Sequence, residues 1–257
     1  MALAAAPSRV VTLAPFLTEL AFDAGIGDRV VGVSAYSDYP PAARALPEVS
    51  SATGFAIEKI AALRPEVAFV WRDSVRPEEI QRLESLGIRV VVVSARTLDE
   101  IPRALEQVGE AAQVDVTQKS RAYRDRVEQL RRTYSSRRRL DVFLEIWNRP
   151  LTTIAGRHYM NEALEVCGAR NMFADLPGVT PVVPWETVYA RDPEVVVGAG
   201  SAGDRAQFEA NWRERPTLSA VKNNRLLYLD PDTIQRPSLR LVQGIAQLCE
   251  ALERARR

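Results

Sequence analysis

ETVYARDPEVVVG, residues 186–198, repeats in outline a window met earlier in the chain, EKIAALRPEVAFV at residues 58–70. Aligned without a gap, the two share Glu58 with Glu186, Ala62 with Ala190, Pro65 with Pro193, Glu66 with Glu194 and Val67 with Val195. Each window reads as one physical unit. A glutamate opens a short helical stretch. Proline ends it, because proline lacks an N–H and disfavours helix in the residue before it. An apolar run follows, EVAFVW or EVVVGA, which suits a strand buried on both faces. Any α/β protein can repeat helix, proline and strand, so the windows alone leave open a chance likeness or a duplicated lobe.

The flanking sequence favours duplication. Strand patterns fall at 9–14, 29–34, 66–71 and 89–94, with helical patterns at about 17–25, 57–63, 77–87 and 98–112. That is the spacing of βα units and predicts a parallel sheet covered by helices. The alternation resumes with LDVFLEIW (140–147), a helix at 159–167, EVVVGA, a helix at 204–213, RLLYLD (225–230) and a last helix from about 237 to 255. Between the halves, residues 112–138 contain no Gly or Pro, and Val116, Tyr123, Val127, Leu130 and Tyr134 form a narrow apolar stripe among charges. A helix of that pattern lies across a surface and buries little. The expected architecture is α/β: two Rossmann-like lobes with parallel sheets, residues 1–111 and 139–257, joined by one long backbone helix over 112–138.

Composition narrows the function classes. The 34 basic residues nearly cancel the 33 acidic ones, so nothing calls for nucleic acid or an anionic membrane. No apolar run approaches the length of a transmembrane helix. The opening MALAAAPSRVV lacks a basic n-region and a long apolar core, so it does not read as an intact signal peptide, though its small residues fit the start of a mature chain after signal cleavage. G-x-G-x-x-G and P-loop patterns are absent. The one histidine, His158, sits in a polar turn entering a helix, and a single imidazole argues against both a Ser-His-Asp site and a transition-metal site. No catalytic residue, metal ligand or cofactor of the protein's own is expected.

What remains suits holding something flat and large. SAYSDYPP (34–41) follows a strand and carries Tyr36 and Tyr39, Trp71 ends the third strand, and Trp147 ends the first strand of the second half. Ligands of parallel sheets sit beyond the carboxyl ends of strands, and stacking needs aromatics there. DPDTIQRPSLR (230–240) places Asp232 and Arg236 beyond another strand, where they could bond amide or phosphate groups.

The chain resembles the cobalamin-binding (BtuF-like) subfamily of class III periplasmic binding proteins, which feed ABC importers. The stretches that carry the likeness are RVVTLAPFLTELAFDAGIGDRVVGVSAYSDYPP, ALRPEVAFVW, NEALEVCGARNMFADLP and RPSLRLVQGIAQLCEAL, and the match runs from about Arg9 to the end. The resemblance implies a non-enzymatic, monomeric periplasmic protein that holds a corrinoid in a cleft between its lobes and delivers it to a permease dimer. It implies corrin contact for Tyr36, ligand contact for Asp232 and Arg236, and docking onto permease arginines for Glu58 and Glu186, one per lobe. The repeat then supplies pseudo-symmetric contacts to a symmetric partner; a carboxylate in a first helical turn also gains slightly from the helix dipole, whatever it docks to.

Departures from the family pattern bear on the ligand. Ala52 stands where familiar members carry a tryptophan, and Thr180 and Thr233 stand where they carry aromatics; Phe16 and Trp147 are the residues that compensate. Cobalamin is the expected ligand, with a precursor such as cobinamide, or an iron-siderophore or haem on the same fold, as alternatives, and an α/β enzyme as a remote one. Cys167 ends the helix in NEALEVCG, with Gly168 placed to cap it, and Cys249 lies inside the last helix. Two buried free thiols are one reading. An even count in a chain that resembles an exported protein favours a disulfide.

Overall fold

In the computed structural model, which describes residues 5–51, 53–199 and 204–257, the chain divides into two units. The first comprises Met1–Ala95 and Asp99–Arg124, the second Arg96–Leu98 and Asp125–Arg257.

In the first unit, β1 (Val10–Thr12), β2 (Val30–Ser34), β3 (Glu48–Ser51), β4 (Gly54–Phe55), β5 (Val67–Trp71) and β6 (Arg89–Val93) form one sheet in the order β4-β3-β2-β1-β5-β6. All neighbours are parallel except β3 and β4. The β-branched runs are central because helices cover both faces: Val67 through Val70 are all buried. Val11, Leu13, Ile60, Ala68, Val70 and Leu83 belong to one apolar cluster of this unit. In the second unit, β7 (Leu140–Glu145), β10 (Ala169–Asn171), β11 (Val195–Ala199) and β12 (Leu226–Leu229) form a parallel sheet in the order β10-β7-β11-β12. A hairpin of β8 (Trp147–Asn148) and β9 (Leu151–Thr152) stands apart from it. Trp147 therefore opens this hairpin rather than ending the first strand. That strand stops at Glu145, where the chain turns toward the hairpin.

The two sheets share one plan. Setting aside the short β3 and β4 of the first sheet, in each the first strand is flanked by the second on one side and by the third on the other, with the fourth outside the third: β2-β1-β5-β6 and β10-β7-β11-β12. The repeated windows occupy equivalent places in that plan. Glu58 and Glu186 are each the second residue of their helices, Ile57–Ala62 and Trp185–Arg191. Val67 and Val195 each open the third strand. Between helix and strand, Arg64 (φ 46°) and Asp192 (φ 42°), equivalent in the alignment, both adopt the left-handed conformation. That conformation costs a non-glycine residue roughly 1–2 kcal/mol, so its recurrence marks a turn geometry the lobe requires. The second shared glutamate fastens the neighbouring strand. Glu66 Oε1 accepts from the Ser8 N–H (2.9 Å) and hydroxyl (2.7 Å), just before β1. Glu194 accepts from Arg138 Nη1 (2.7 Å) and the Asp141 N–H (3.1 Å), at the start of β7.

The segment expected as one helix over 112–138 is broken near its start. Gln113 takes a left-handed conformation (φ 57°) after the helix Glu100–Ala112, and Asp115 Oδ1 accepts from the Thr117 N–H (2.9 Å) to start a second helix, Thr117–Tyr134. The division between the units falls inside this second helix. Val116, Tyr123, Val127 and Leu130 are buried, as the stripe predicts, and Tyr134 partly so. The last helix is Leu241–Ala255, shorter than expected at its start because residues 238–240 form a turn; Pro231–Ile234 is a separate helical turn before it. Gly244 lets the two pack: a Cβ there would lie 2.3 Å from the Thr233 carbonyl oxygen. Cys167 and Cys249 form a disulfide (Cα–Cα 4.7 Å) joining the end of the helix Tyr159–Val166 to the last helix. Gly168, left-handed at φ 68°, turns the chain there, and a Cβ would lie 2.5 Å from the Tyr134 carbonyl oxygen.

Candidate functional site

In the first unit the candidates gather beyond the carboxyl ends of the central strands. Tyr36, 76% exposed, stands in the turn after β2 with φ 64°. Beneath the turn lies a cluster of four buried hydroxyls. Thr12 and Thr18 are 2.7 Å apart, Thr18 donates to Ser37 (2.9 Å), and Ser37 meets Ser34 at 3.0 Å. The Ala35 N–H donates to Ser50 O (2.7 Å), so both ends of the turn are held and the left-handed residue is presented outward. Trp71, at the end of β5, packs edge-on against Phe16 with ring centroids 5.7 Å apart. Its indole N–H is buried without a hydrogen-bond partner. Phe16 itself is 3% exposed, so it supports Trp71 from behind rather than facing open space. Ala52 lies outside the described residues.

In the second unit a cavity of about 930 Å³ opens over the carboxyl ends of β7, β11 and β12, represented in its wall by Glu145, Ala199 and Tyr228. That volume is toward the upper end for small-molecule sites, roughly 300–1,000 Å³. Trp147, 65% exposed, lines it with its Nε1 donating to Arg149 O (2.9 Å). Asn148, Gln207, Asn211 and Gln235 add amides, and Phe208 packs against Tyr228 at 5.2 Å. Glu145 is held by the Trp212 indole N–H, and Trp212 is fully buried against Phe143 and Trp185. Burial pushes the Glu145 carboxyl above the ordinary glutamate range, opposed by Trp212, Asn148 and the charge of Arg215. Burial, with the charges of Asp204 and Glu145, also raises the Tyr228 phenol.

Asp232 and Arg236 pair with each other at 2.9 Å; the arginine side chain is largely buried and the aspartate half exposed. Asp230 caps their turn by accepting from the Asp232 N–H (3.0 Å). Thr233 is 8% exposed and donates to Asp230 O (3.1 Å), whereas Thr180 is exposed. His158 caps the helix Tyr159–Val166, its Nδ1 accepting from the Met160 N–H (3.2 Å). Among the described residues no group of three or more His, Cys, Asp or Glu side chains is placed to hold a metal ion.

Glu58 and Glu186 are both exposed at their helix starts. The residue before each anchors the helix. Ile57 packs on the apolar cluster of its unit, and Trp185 lies under the Arg215 guanidinium, 3.5 Å from its ring centre.

Residue-by-residue reading missed Glu145 and the amides of the helix Asp204–Arg213. One signal was there: a lone carboxylate inside the otherwise apolar run of LDVFLEIW. The amides give none, since Gln207 and Asn211 are ordinary in an amphipathic helix.

Residues 10–233 match the model of a family described as periplasmic binding protein. The chain is 34% identical to the vitamin B12-binding protein of Vibrio cholerae serotype O1 over 251 residues, covering 97% of this chain and 90% of that one. It is 36% identical to the vitamin B12-binding protein of Salmonella paratyphi A over 254 residues, covering 96% and 91%. The crystal structure of the periplasmic vitamin B12-binding protein BtuF of Vibrio cholerae superposes with a TM-score of 0.89 at 34% identity, covering 98% of each chain. No described helix is long and apolar enough to cross a membrane. The proteins matched are solute-binding proteins, not enzymes. With its paired sheets of one plan, and a match spanning most of its length, this chain belongs to the periplasmic binding protein family.

Proposed function

We propose that the chain captures a corrinoid, cobalamin, in the periplasm and delivers it as a monomer to the permease dimer of an ABC importer. The observation that carries the reading is the cavity over the carboxyl ends of β7, β11 and β12, with exposed Trp147 at its wall. The names of the relatives support cobalamin over an iron-siderophore or haem, and the disulfide suits an oxidising compartment. In the first unit the residues assigned to the ligand are Tyr36 and Trp71, with Phe16 bracing Trp71. In the second they are Trp147, Asp232 and Arg236. The Asp232–Arg236 pair presents a fixed acceptor and donor, as polar recognition of a ligand requires. Glu58 and Glu186, equivalent in the two units and exposed, are assigned to docking onto permease arginines. Residues 1–111 and 139–257 act as the two lobes, with 112–138 as the segment between them in the chain.

The test is direct. Purified protein incubated with cyanocobalamin and desalted should retain the visible bands of the corrin. Retention of a Soret band from haem or a charge-transfer band from a ferric siderophore, with no corrin retained, would overturn the assignment.

A further inference from the structure

The cavity wall carries hydrogen-bonding groups left open in a specific ratio. Gln207 Nε2 donates to Asn211 Oδ1 (2.7 Å), one turn along the helix Asp204–Arg213. Among the described residues, that leaves Gln207 Oε1 without a donor and Asn211 Nδ2 without an acceptor. Asn211 is only 6% exposed and lines the cavity. Asn148 Nδ2 is unpaired as well, but it is fully enclosed and out of a ligand's reach. Glu145 Oε2 accepts from Trp212; the Asn148 amide lies near the carboxylate but outside hydrogen-bond geometry, so Oε1 has no well-formed donor among the described residues. The open set is therefore two acceptors, Glu145 Oε1 and Gln207 Oε1, and one donor, Asn211 Nδ2.

That set is the complement of a primary carboxamide, which brings two N–H donors and one carbonyl acceptor. An alcohol has a single donor. A ligand carboxylate has none, so its oxygens would face the oxygens of Glu145 and Gln207 with no hydrogen between them. The groups are also held in place. Glu145 ends a central strand and is tied to Trp212, which neighbours Asn211 on the same helix and is fully buried. Binding therefore meets a preformed wall.

We infer that Glu145, Gln207 and Asn211 form a subsite for an uncharged primary carboxamide on the ligand's rim, and that Glu145 rejects the corresponding carboxylate. The inference rests on the corrinoid reading, because the corrin ring bears such carboxamides around its edge, and it deepens that reading by naming what this wall recognises.

The experiment compares cyanocobalamin with its separated monocarboxylic acids, in each of which one peripheral propionamide is hydrolysed, by calorimetry on the full chain. Wild type should bind at least one of these acids about tenfold or more weakly than cyanocobalamin. Glu145→Gln, which keeps an oxygen for Trp212, should shrink that penalty several-fold. Gln207→Ala, on an exposed position of the helix, should weaken cyanocobalamin and narrow the same gap without altering the melting temperature. Equal affinity of wild type for cyanocobalamin and every acid would overturn the inference, as would a penalty unchanged in both variants; either result leaves the corrinoid function standing. Wild type that binds no cyanocobalamin overturns the function and the subsite together.

Discussion

Removing the Cys167–Cys249 bond tests how the last helix is held. The bond spans 82 residues of chain. For a loop of that length the chain-entropy relation gives about 4.5 kcal/mol at 25 °C, an upper figure, since residual structure in the unfolded chain and strain in the native one reduce it. Working against loss of the fold is what else anchors the helix. Leu241, Ile245, Leu248 and Leu252 are each at most 2% exposed, and burying four such side chains contributes roughly 6–12 kcal/mol. Arg256 adds a polar clasp, donating to the carbonyls of Cys167 (2.7 Å), Gly168 (2.9 Å) and Arg138 (2.9 Å). The Cys167→Ala, Cys249→Ala variant should therefore stay folded at 25 °C while losing about 2–4 kcal/mol, a fall of roughly 5–15 °C in Tm for a chain of this size. Urea unfolding followed by tryptophan fluorescence suits the assay, since Trp147, Trp185 and Trp212, three of the four tryptophans, lie in the second unit. The midpoint should fall, and the slope should rise as the unfolded chain expands. Coincident curves for wild type, with and without reductant, and for the variant would refute the reasoning. They would mean that the cross-link constrains nothing the packed helix does not already constrain.

Tyr36→Ala should weaken corrinoid binding by about 1–3 kcal/mol, the order of an aromatic anchor's truncation, measured by calorimetry; His158→Ala, which removes a helix cap, should leave that affinity unchanged. Replacing Glu58 and Glu186 together by Ala should abolish complex formation with the importer in a pull-down while corrinoid affinity stays intact, and normal docking would reduce the repeat to fold duplication alone. Glu145 gives a pH signature in the ligand-free protein. Its carboxyl is raised by burial, so between the ordinary glutamate value near 4.3 and its raised value the folded state binds more protons than the unfolded one, and its contribution to stability falls as pH rises. Glu145→Gln should remove that component, so the variant gains on wild type in thermal melts as pH climbs above the ordinary glutamate range. A constant offset would show a carboxyl hydrated in both states.

Much of the architecture was legible because duplication wrote it twice. The apolar runs at Val67 and Val195 and the prolines before them mark the same helix-to-strand turn, and the left-handed Arg64 and Asp192 show that the lobes repeat a backbone conformation even where side chains differ. The short strands Glu48–Ser51 and Ala169–Asn171 and the hairpin at Trp147 escaped notice. Two to four residues carry too little periodicity, and their place is set by partners distant in sequence. Phe16 shows another limit. An aromatic next to a strand end can face the ligand side or the core, and only packing against Trp71 decides. Glu145 and Asn211 come together because a strand end and a helix meet, an event no local pattern records.

The hydroxyl cluster beneath Tyr36 has an operational consequence. Thr12, Thr18, Ser34 and Ser37 carry no formal charge and do not titrate near neutrality. Their hydrogen bonds are buried, so dissolved ions do not screen them as they do exposed ion pairs. The platform that presents Tyr36 should therefore hold its pose from dilute buffer to molar salt, while attraction between Glu58 or Glu186 and a cationic partner weakens along the same series. Ligand capture and partner docking would then respond separately to ionic strength, the first nearly indifferent to it and the second strongly dependent on it.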